Sequence, residues 1–240
     1  MISTSRSVSQ PPKIAILQCG EAIESALEEF GDYDQMCKAM LGLKPDQAQT
    51  FRVFDHQFPH ISDYDVFVVT GSKFGAYEQH DWIPPLESLI RDIKRVGKKM
   101  VGVCFGHQII AQALGGRVEK SDKGLGVGLM RYRMLGENQE PTDVFLYVWH
   151  QDQVIEAPDD AEIIATSDFC PIAALRYGDE ILTFQAHPEF SEGYERALLA
   201  ERRGVALSEE QADAGLKSLA QPSDSAQIRQ ILTDFALVAD

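Results

Sequence analysis

The chain has 240 residues, 44% hydrophobic and 25% charged, the composition of an ordinary globular protein with one sizeable core. Its formal net charge of −15 argues against a phosphate-backbone partner, which needs a basic footprint, so no nucleic acid is expected to bind. No apolar run approaches the ~20 residues that span a bilayer, so no membrane partner is expected, and Cys19, Cys37, Cys104 and Cys170 lack the spacing of a zinc site or a disulfide scaffold.

The polar, Ser-rich start, Met1–Lys13, has no signal-peptide core and reads as a disordered leader over residues 1–12 of a cytoplasmic protein. Lys13–Leu17 reads as a first buried strand, Arg52–Phe54 as a short second and Asp65–Thr70 as a third that ends at Gly71-Ser72. A helix from about Ile83 to Val96 precedes the strand Lys99–Val103. The helical segment Gly106–Leu114 then stops at Gly115-Gly116. Uniformly apolar strands separated by helices indicate a mostly parallel sheet covered on both faces.

After Gly116 the texture changes to short strands: Arg117–Lys120, Gly128–Met134, Val144–Trp149 and Glu162–Thr166. Ile172–Tyr177 and Glu180–Gln185 form a hairpin around Gly178-Asp179. From Ser191 the pattern is helical, over Glu192–Arg203, Glu209–Leu219 and Ser225–Val238. With no repeat and no long linker, residues 13–240 read as one α/β domain whose C-terminal helices occupy 191–240.

The strongest chemical signal is Gly102-Val103-Cys104-Phe105-Gly106-His107-Gln108, where a strand runs straight into a helix. Glycines two residues either side of Cys104 permit a strained turn that lifts the thiol clear of the sheet, the G-x-nucleophile-x-G elbow. The helix N-terminus favours thiolate there, and the N–H of Phe105 would be aimed at an oxyanion. The second signal is His187-Pro188-Glu189 after the apolar run Ile181–Phe184. In extended chain, residues i and i+2 share a side, so Glu189 can hold one imidazole nitrogen of His187 and leave the other free as a base.

Thr70-Gly71-Ser72 could supply a second oxyanion donor from Gly71 or Ser72, or be an ordinary strand-to-loop glycine. Trp149-His150-Gln151-Asp152 could contact a substrate's amino and carboxylate groups, or be a solvated loop. His56, His60 and His80 lack metal-ligand spacing, and no metal site is expected. His107 reads as a structural residue of the first helical turn, and Cys19, Cys37 and Cys170 as packing residues.

Taken together and in order, these four motifs resemble the class I (triad) glutamine amidotransferase superfamily over roughly residues 13–200. Phe51-Arg52-Val53-Phe54-Asp55-His56-Gln57-Phe58-Pro59, Asp81-Trp82-Ile83 and Cys104 to Ile110 look most like the stand-alone group of GMP-synthetase-like amidotransferases and plant γ-glutamyl peptidases. The resemblance implies a flavodoxin-like, mostly parallel sheet with a small antiparallel β extension and C-terminal helices. It implies a Cys104–His187–Glu189 triad that hydrolyses a γ-glutamyl amide through a thioester, with Gln108 on the glutamyl moiety and His150 and Gln151 lining its α-amino and carboxylate pocket. No metal, nucleotide or organic cofactor is required, and the expected partner is a small γ-glutamyl substrate. Thr70-Gly71-Ser72-Lys73 departs from the Gly-Gly-Pro usual at the oxyanion strand, and nothing after residue 200 is large enough for a synthase domain.

Three other readings remain open on sequence: a glutaminase subunit feeding ammonia to a separate synthase, a catalytically silent module, and a cysteine-type α/β-hydrolase. The last is disfavoured because Glu189 follows His187, whereas that fold places its acid before the histidine. A homodimer is left open as well.

Overall fold

The first expected strand forms as β1 (Ile14–Gln18) in a computed structural model that describes residues 11–136 and 140–238. The expected leader, apart from Pro11 and Pro12, lies outside the described residues. Helices α1 (Leu27–Phe30) and α2 (Tyr33–Met40) precede β2 (Ala48–Arg52). The second strand was expected at Arg52–Phe54, but Val53–Asp55 coil into a 3-10 turn because Arg52 Nε reaches forward to Asp55 at 2.6 Å. Pairing with β1 instead begins at Ala48.

The next elements fall within a residue or two of expectation: β3 (Val66–Val69), α3 (Ile83–Arg95), β4 (Lys99–Val103) and α4 (Phe105–Ala113). β5 (Arg117–Lys120), β6 (Gly126–Met134) and β7 (Thr142–His150) follow. β8 (Asp152–Glu156) was not anticipated; only Gln151 separates it from β7, so no turn residue marks the change of direction. β9 (Glu162–Thr166), β10 (Ala174–Tyr177), β11 (Ile181–Phe184), α5 (Glu192–Arg202), α6 (Glu209–Ser218) and α7 (Ser225–Leu237) complete the chain.

Among the described residues the main sheet has nine strands in the order β2-β1-β3-β4-β11-β10-β9-β6-β7. The first five are mutually parallel, and β10, β9, β6 and β7 extend the same sheet in antiparallel fashion. β5 and β8 form a separate two-stranded ribbon. Period-2 alternation divides the core between two faces. Ile14, Ile16, Val66, Val68, Val101 and Val103 pack toward α2 and α7, whereas Ala15, Leu17, Phe67, Val69 and Met100 pack toward α3 and α4. A third cluster packs α5 and α6 onto β6 and β7 through Tyr194, Leu198, Leu199, Leu129 and Tyr147. This is a flavodoxin-like α/β fold with an antiparallel extension. No helix among the described residues is long and apolar enough to cross a membrane.

The parallel strands deliver their carboxyl ends to one edge. The register Val69↔Gly102↔Thr183 brings Gly71, Cys104 and Gln185 level there. Helix α4 can begin at that edge only because two glycines allow close approach. A Cβ on Gly106 would lie 2.2 Å from the Val69 carbonyl oxygen, and one on Gly102 would lie 2.8 Å from the Gly106 backbone. Both contacts are with backbone, which cannot swing aside.

Gly106→Ala is therefore expected to lower stability by about 1–3 kcal/mol or more. Urea midpoints read the change, and a loss below ~0.5 kcal/mol would contradict the close packing of α4 on β3.

Candidate active site

Cys104 sits between β4 and α4 with φ 51° and ψ −106°. Among the described residues only His56 shares a positive φ with it outside glycine. For a residue with a Cβ this conformation costs of order 1–3 kcal/mol, so its surroundings must over-determine it. They do: the Cys104 N–H donates to the Phe184 carbonyl at 2.9 Å, its own carbonyl accepts from Gln108 at 3.1 Å, and the two glycines seat the helix. The thiol emerges at the helix N-terminus and is 5% exposed.

His187 lies just past β11 and Glu189 two residues on, and the pair is closed by a 2.7 Å hydrogen bond from His187 Nδ1 to Glu189 Oε1. Their side chains are 4% and 1% exposed. The imidazole stacks on Phe190, with ring centroids 4.0 Å apart and planes at 11°. With Nδ1 committed to the carboxylate, Nε2 is buried and has no hydrogen-bond partner, leaving it as the free ring nitrogen. Burial pulls the His187 pKa down, but the adjacent Cys104 and Glu189 favour the imidazolium more strongly and hold it well above the ordinary value.

Gly71 is the third side of this contact. A Cβ there would lie 3.4 Å from His187 Cε1 and 3.9 Å from Cys104 Cβ, so its backbone borders both residues. Ser72, next along the chain, shares a cleft with Cys104 and donates its hydroxyl to the Cys19 carbonyl at 2.8 Å. Phe105 occupies the first helical position after Cys104, where a backbone N–H has no intrahelical acceptor. The structure thus gathers Cys104, Phe105, Gly71, His187 and Glu189 at one edge.

Cys104 opens into a cleft of about 430 Å³ that Gln108, Trp149, His150, Gln151 and Asp152 also line. A larger cavity, about 860 Å³, lies at the opposite end of the strands beside Lys13, Ile14, Val66 and Lys99, and no cysteine or histidine is among its lining residues. Gln108 is less free than expected: its amide nitrogen donates to the Asp152 carbonyl at 2.8 Å and to Gln185 at 3.1 Å. His150 donates from Nδ1 to the Asp152 carbonyl at 3.2 Å. Burial, reinforced by the nearby His187 charge, pushes its pKa down to about 3. It is therefore a neutral ring whose unpartnered Nε2 can only accept. Gln151 is tied to the Ser121 carbonyl at 3.0 Å.

The other expected bystanders are structural. His107 bonds Thr183 at 2.8 Å and the Ile172 carbonyl at 3.1 Å, and burial pushes its pKa down to about 4. Burial raises the Cys19, Cys37 and Cys170 thiols, so these three stay protonated. No cluster of His, Cys, Asp or Glu among the described residues has the arrangement of a metal site.

Sequence reasoning missed Glu195. This α5 carboxyl is fully buried, accepts from the Gly128 N–H at 2.9 Å through Oε1 and has no partner at Oε2. Burial pushes its pKa up to about 8; the Gly128 bond and His187 oppose the shift and Glu189 adds to it. Its spacing with Leu198 and Leu199, three and four residues on, was the available signal, because it puts an acid on the helix's apolar stripe.

A folded-state pKa raised from 4.5 to about 8 means that the native protein holds a proton the unfolded chain has released. The stabilisation is complete below the unfolded value and disappears as pH rises to about 8. Glu195→Gln keeps the neutral shape without the titration. Its stability relative to the natural protein should rise steadily between these limits and level off above them, as measured by denaturant unfolding across pH. A difference independent of pH would show that Glu195 is ionised in the folded protein.

Comparison with known proteins places this geometry in context. Residues 47–206 match the family described as Glutamine amidotransferase class-I. The chain is 34% identical over 194 residues to gamma-glutamyl peptidase 2 of Arabidopsis thaliana, covering 77% of this chain and 78% of that protein. It is 28% identical to a putative glutamine amidotransferase-like protein of Schizosaccharomyces pombe, over 93% of this chain and 98% of that one. Among solved structures, a glutamine amidotransferase from Thermotoga maritima superposes with a TM-score of 0.69 at 19% identity, covering 93% of this chain and 97% of its own. At that identity the likeness concerns the fold.

Proposed function

The chain belongs to the class I glutamine amidotransferase family, and from that premise we propose that it hydrolyses γ-glutamyl amide bonds with Cys104 as nucleophile, His187 as base and Glu189 as the group that orients the base. The observation that carries the reading is the 2.7 Å contact of Glu189 with His187 Nδ1 beside the strained elbow of Cys104. That contact sets the tautomer and leaves Nε2 to exchange a proton with the thiol.

The steps follow from these positions. The Cys104 proton passes to His187, and the thiolate attacks the γ-carbonyl carbon. The resulting oxyanion is held by the Phe105 N–H and by the N–H of Gly71 or Ser72, the first bordering Cys104 and His187 and the second lining the cleft. The imidazolium returns its proton to the leaving amine, leaving a glutamyl thioester on Cys104. Water activated by the same ring then releases glutamate. His150, an acceptor at Nε2, suits the substrate's ammonium group, and Gln108 offers its side-chain oxygen. The chemistry calls for no metal, nucleotide or organic cofactor, and residues 13–240 act as one domain.

Likeness to a protein named as a gamma-glutamyl peptidase across three quarters of the chain favours a self-contained hydrolase of γ-glutamyl peptides or amines. The family match itself favours a second reading, a glutaminase that delivers ammonia to a separate synthase.

Purified protein offered a panel of γ-glutamyl peptides, γ-glutamyl amines and glutamine is expected to release glutamate without a partner. Cys104→Ala and His187→Ala should each lower that release by ~10³-fold or more. Release of glutamate from glutamine alone, and only after a second protein is added, selects the ammonia-supplying role. Silence across the panel, with a Cys104 no more reactive to iodoacetamide than the three buried thiols, sinks both.

A further inference from the structure

The loop His187–Phe190 carries the base and its orienting acid but has no regular secondary structure. Pro188 has no N–H to contribute, so few backbone bonds can fix it. One is the His187 N–H, which donates to the Tyr147 carbonyl of β7 at 2.9 Å, and another is a tight turn from the Phe190 N–H to the His187 carbonyl at 3.2 Å. Neither bonds the Pro188–Glu189 peptide or the Phe190–Ser191 peptide.

Those groups are held by a residue from far along the chain. Arg229, on the second turn of α7, donates from Nε to the Pro188 carbonyl at 2.6 Å and from Nη2 to the Phe190 carbonyl at 2.7 Å. The two carbonyls bracket Glu189. α7 is a firm base for this fork: Ile228 and Leu232 are fully buried in the core. At its start the Phe145 N–H donates to Asp224 Oδ2 and the Asp224 N–H donates to the Phe145 carbonyl, both at 2.8 Å. Phe145 belongs to β7, the strand that also receives the His187 N–H, so one strand fixes the loop directly and the clamp indirectly.

We infer that Arg229 is a positioning residue for the His187–Glu189 pair, holding the Pro188 and Phe190 carbonyls so that the Glu189 carboxylate stays on Nδ1 and the Phe190 ring stays stacked against the imidazole. A guanidinium suits the task because its N–H groups are fixed in one plane and can grip two acceptors at once; a lysine ammonium is a single point on a flexible stem. Arg229 lies beyond residue 206, where the family match ends, so this contribution comes from the chain's own C-terminal helix.

The inference rests on the proposed Cys104–His187–Glu189 centre, and its test is chosen to need no substrate. The rate of Cys104 alkylation by iodoacetamide is followed against pH in the natural protein, Arg229→Ala, Arg229→Lys, His187→Ala and the Arg229→Ala/His187→Ala double variant, with Cys104→Ala giving the background. Arg229→Ala is expected to slow alkylation near neutrality by roughly 10- to 100-fold and to move its pH midpoint toward that of an ordinary thiol. Added guanidinium ion at millimolar concentration should restore part of the rate, and urea should not. Arg229→Lys should fall between, and serves the same comparison if Arg229→Ala does not fold. In the His187→Ala background the arginine change should add nothing. An unmoved profile in Arg229→Ala, or an equal slowing with and without His187, overturns the clamp while leaving the triad standing. A natural protein whose profile matches His187→Ala overturns the triad, and the clamp with it.

Discussion

Cys104 can hold a left-handed backbone only because α4 presses against β3 and β4 with nothing larger than a hydrogen at residues 102 and 106. That close approach sets where the thiol points, and every other part of the site is placed relative to it. The parallel register then does the rest of the gathering: the strands on either side of β4 end at the same level, one leading to Gly71 and the other to His187. Residues distant in the chain meet because neighbouring strands in one sheet stop together, the geometry that puts sites at the carboxyl ends of open α/β sheets.

The electrostatics follow from how little water reaches this edge. His187, Glu189 and Glu195 are all nearly or fully buried, and in such surroundings charge–charge effects are stronger than in water. Burial keeps Glu195 protonated through most of the neutral range, so it adds no charge beside His187, and keeps His150 uncharged beside the same ring. The neutral neighbours still serve: Glu195 grips the Gly128 backbone, and His150 lines the cleft.

The sequence disclosed the parts whose local pattern is also their physical cause. Glycines flanking Cys104 mark the elbow because only glycine fits there. His187-Pro188-Glu189 marks the dyad for another reason than the extended chain expected of it: a turn closed by the Phe190 N–H on the His187 carbonyl at 3.2 Å carries the two side chains that meet. The four apolar strands β1, β3, β4 and β11 stood out for a similar reason, being buried on both faces. What stayed hidden depended on partners far away. α2 has only eight residues, begins at a capping box between Asp32 and Gln35, and buries Met36, Cys37 and Met40. β8 exists because β5 is beside it. The sequence does not name the partners of Glu195 and Arg229: only the fold gives them a backbone amide and two backbone carbonyls to bind.

The antiparallel half of the sheet therefore has a definite share in the site, although it supplies none of Cys104, His187 and Glu189. β7 runs past the elbow with its Tyr147 carbonyl on the His187 N–H and its Trp149 carbonyl 3.9 Å from the Cys104 sulfur. Val148, between these two residues, pairs with Gly128 of β6, whose N–H is held by Glu195 of α5. Phe145, two residues before Tyr147, is held by Asp224 at the head of α7. A shift of β7 would move His187 and Cys104 at once, because both touch it. Anchoring β7 to α7 directly and to α5 through β6 constrains the distance between sulfur and imidazole from the backbone side, where side-chain motion cannot undo it. The parallel half places Cys104, and the antiparallel hairpin with its helices keeps His187 in register with it.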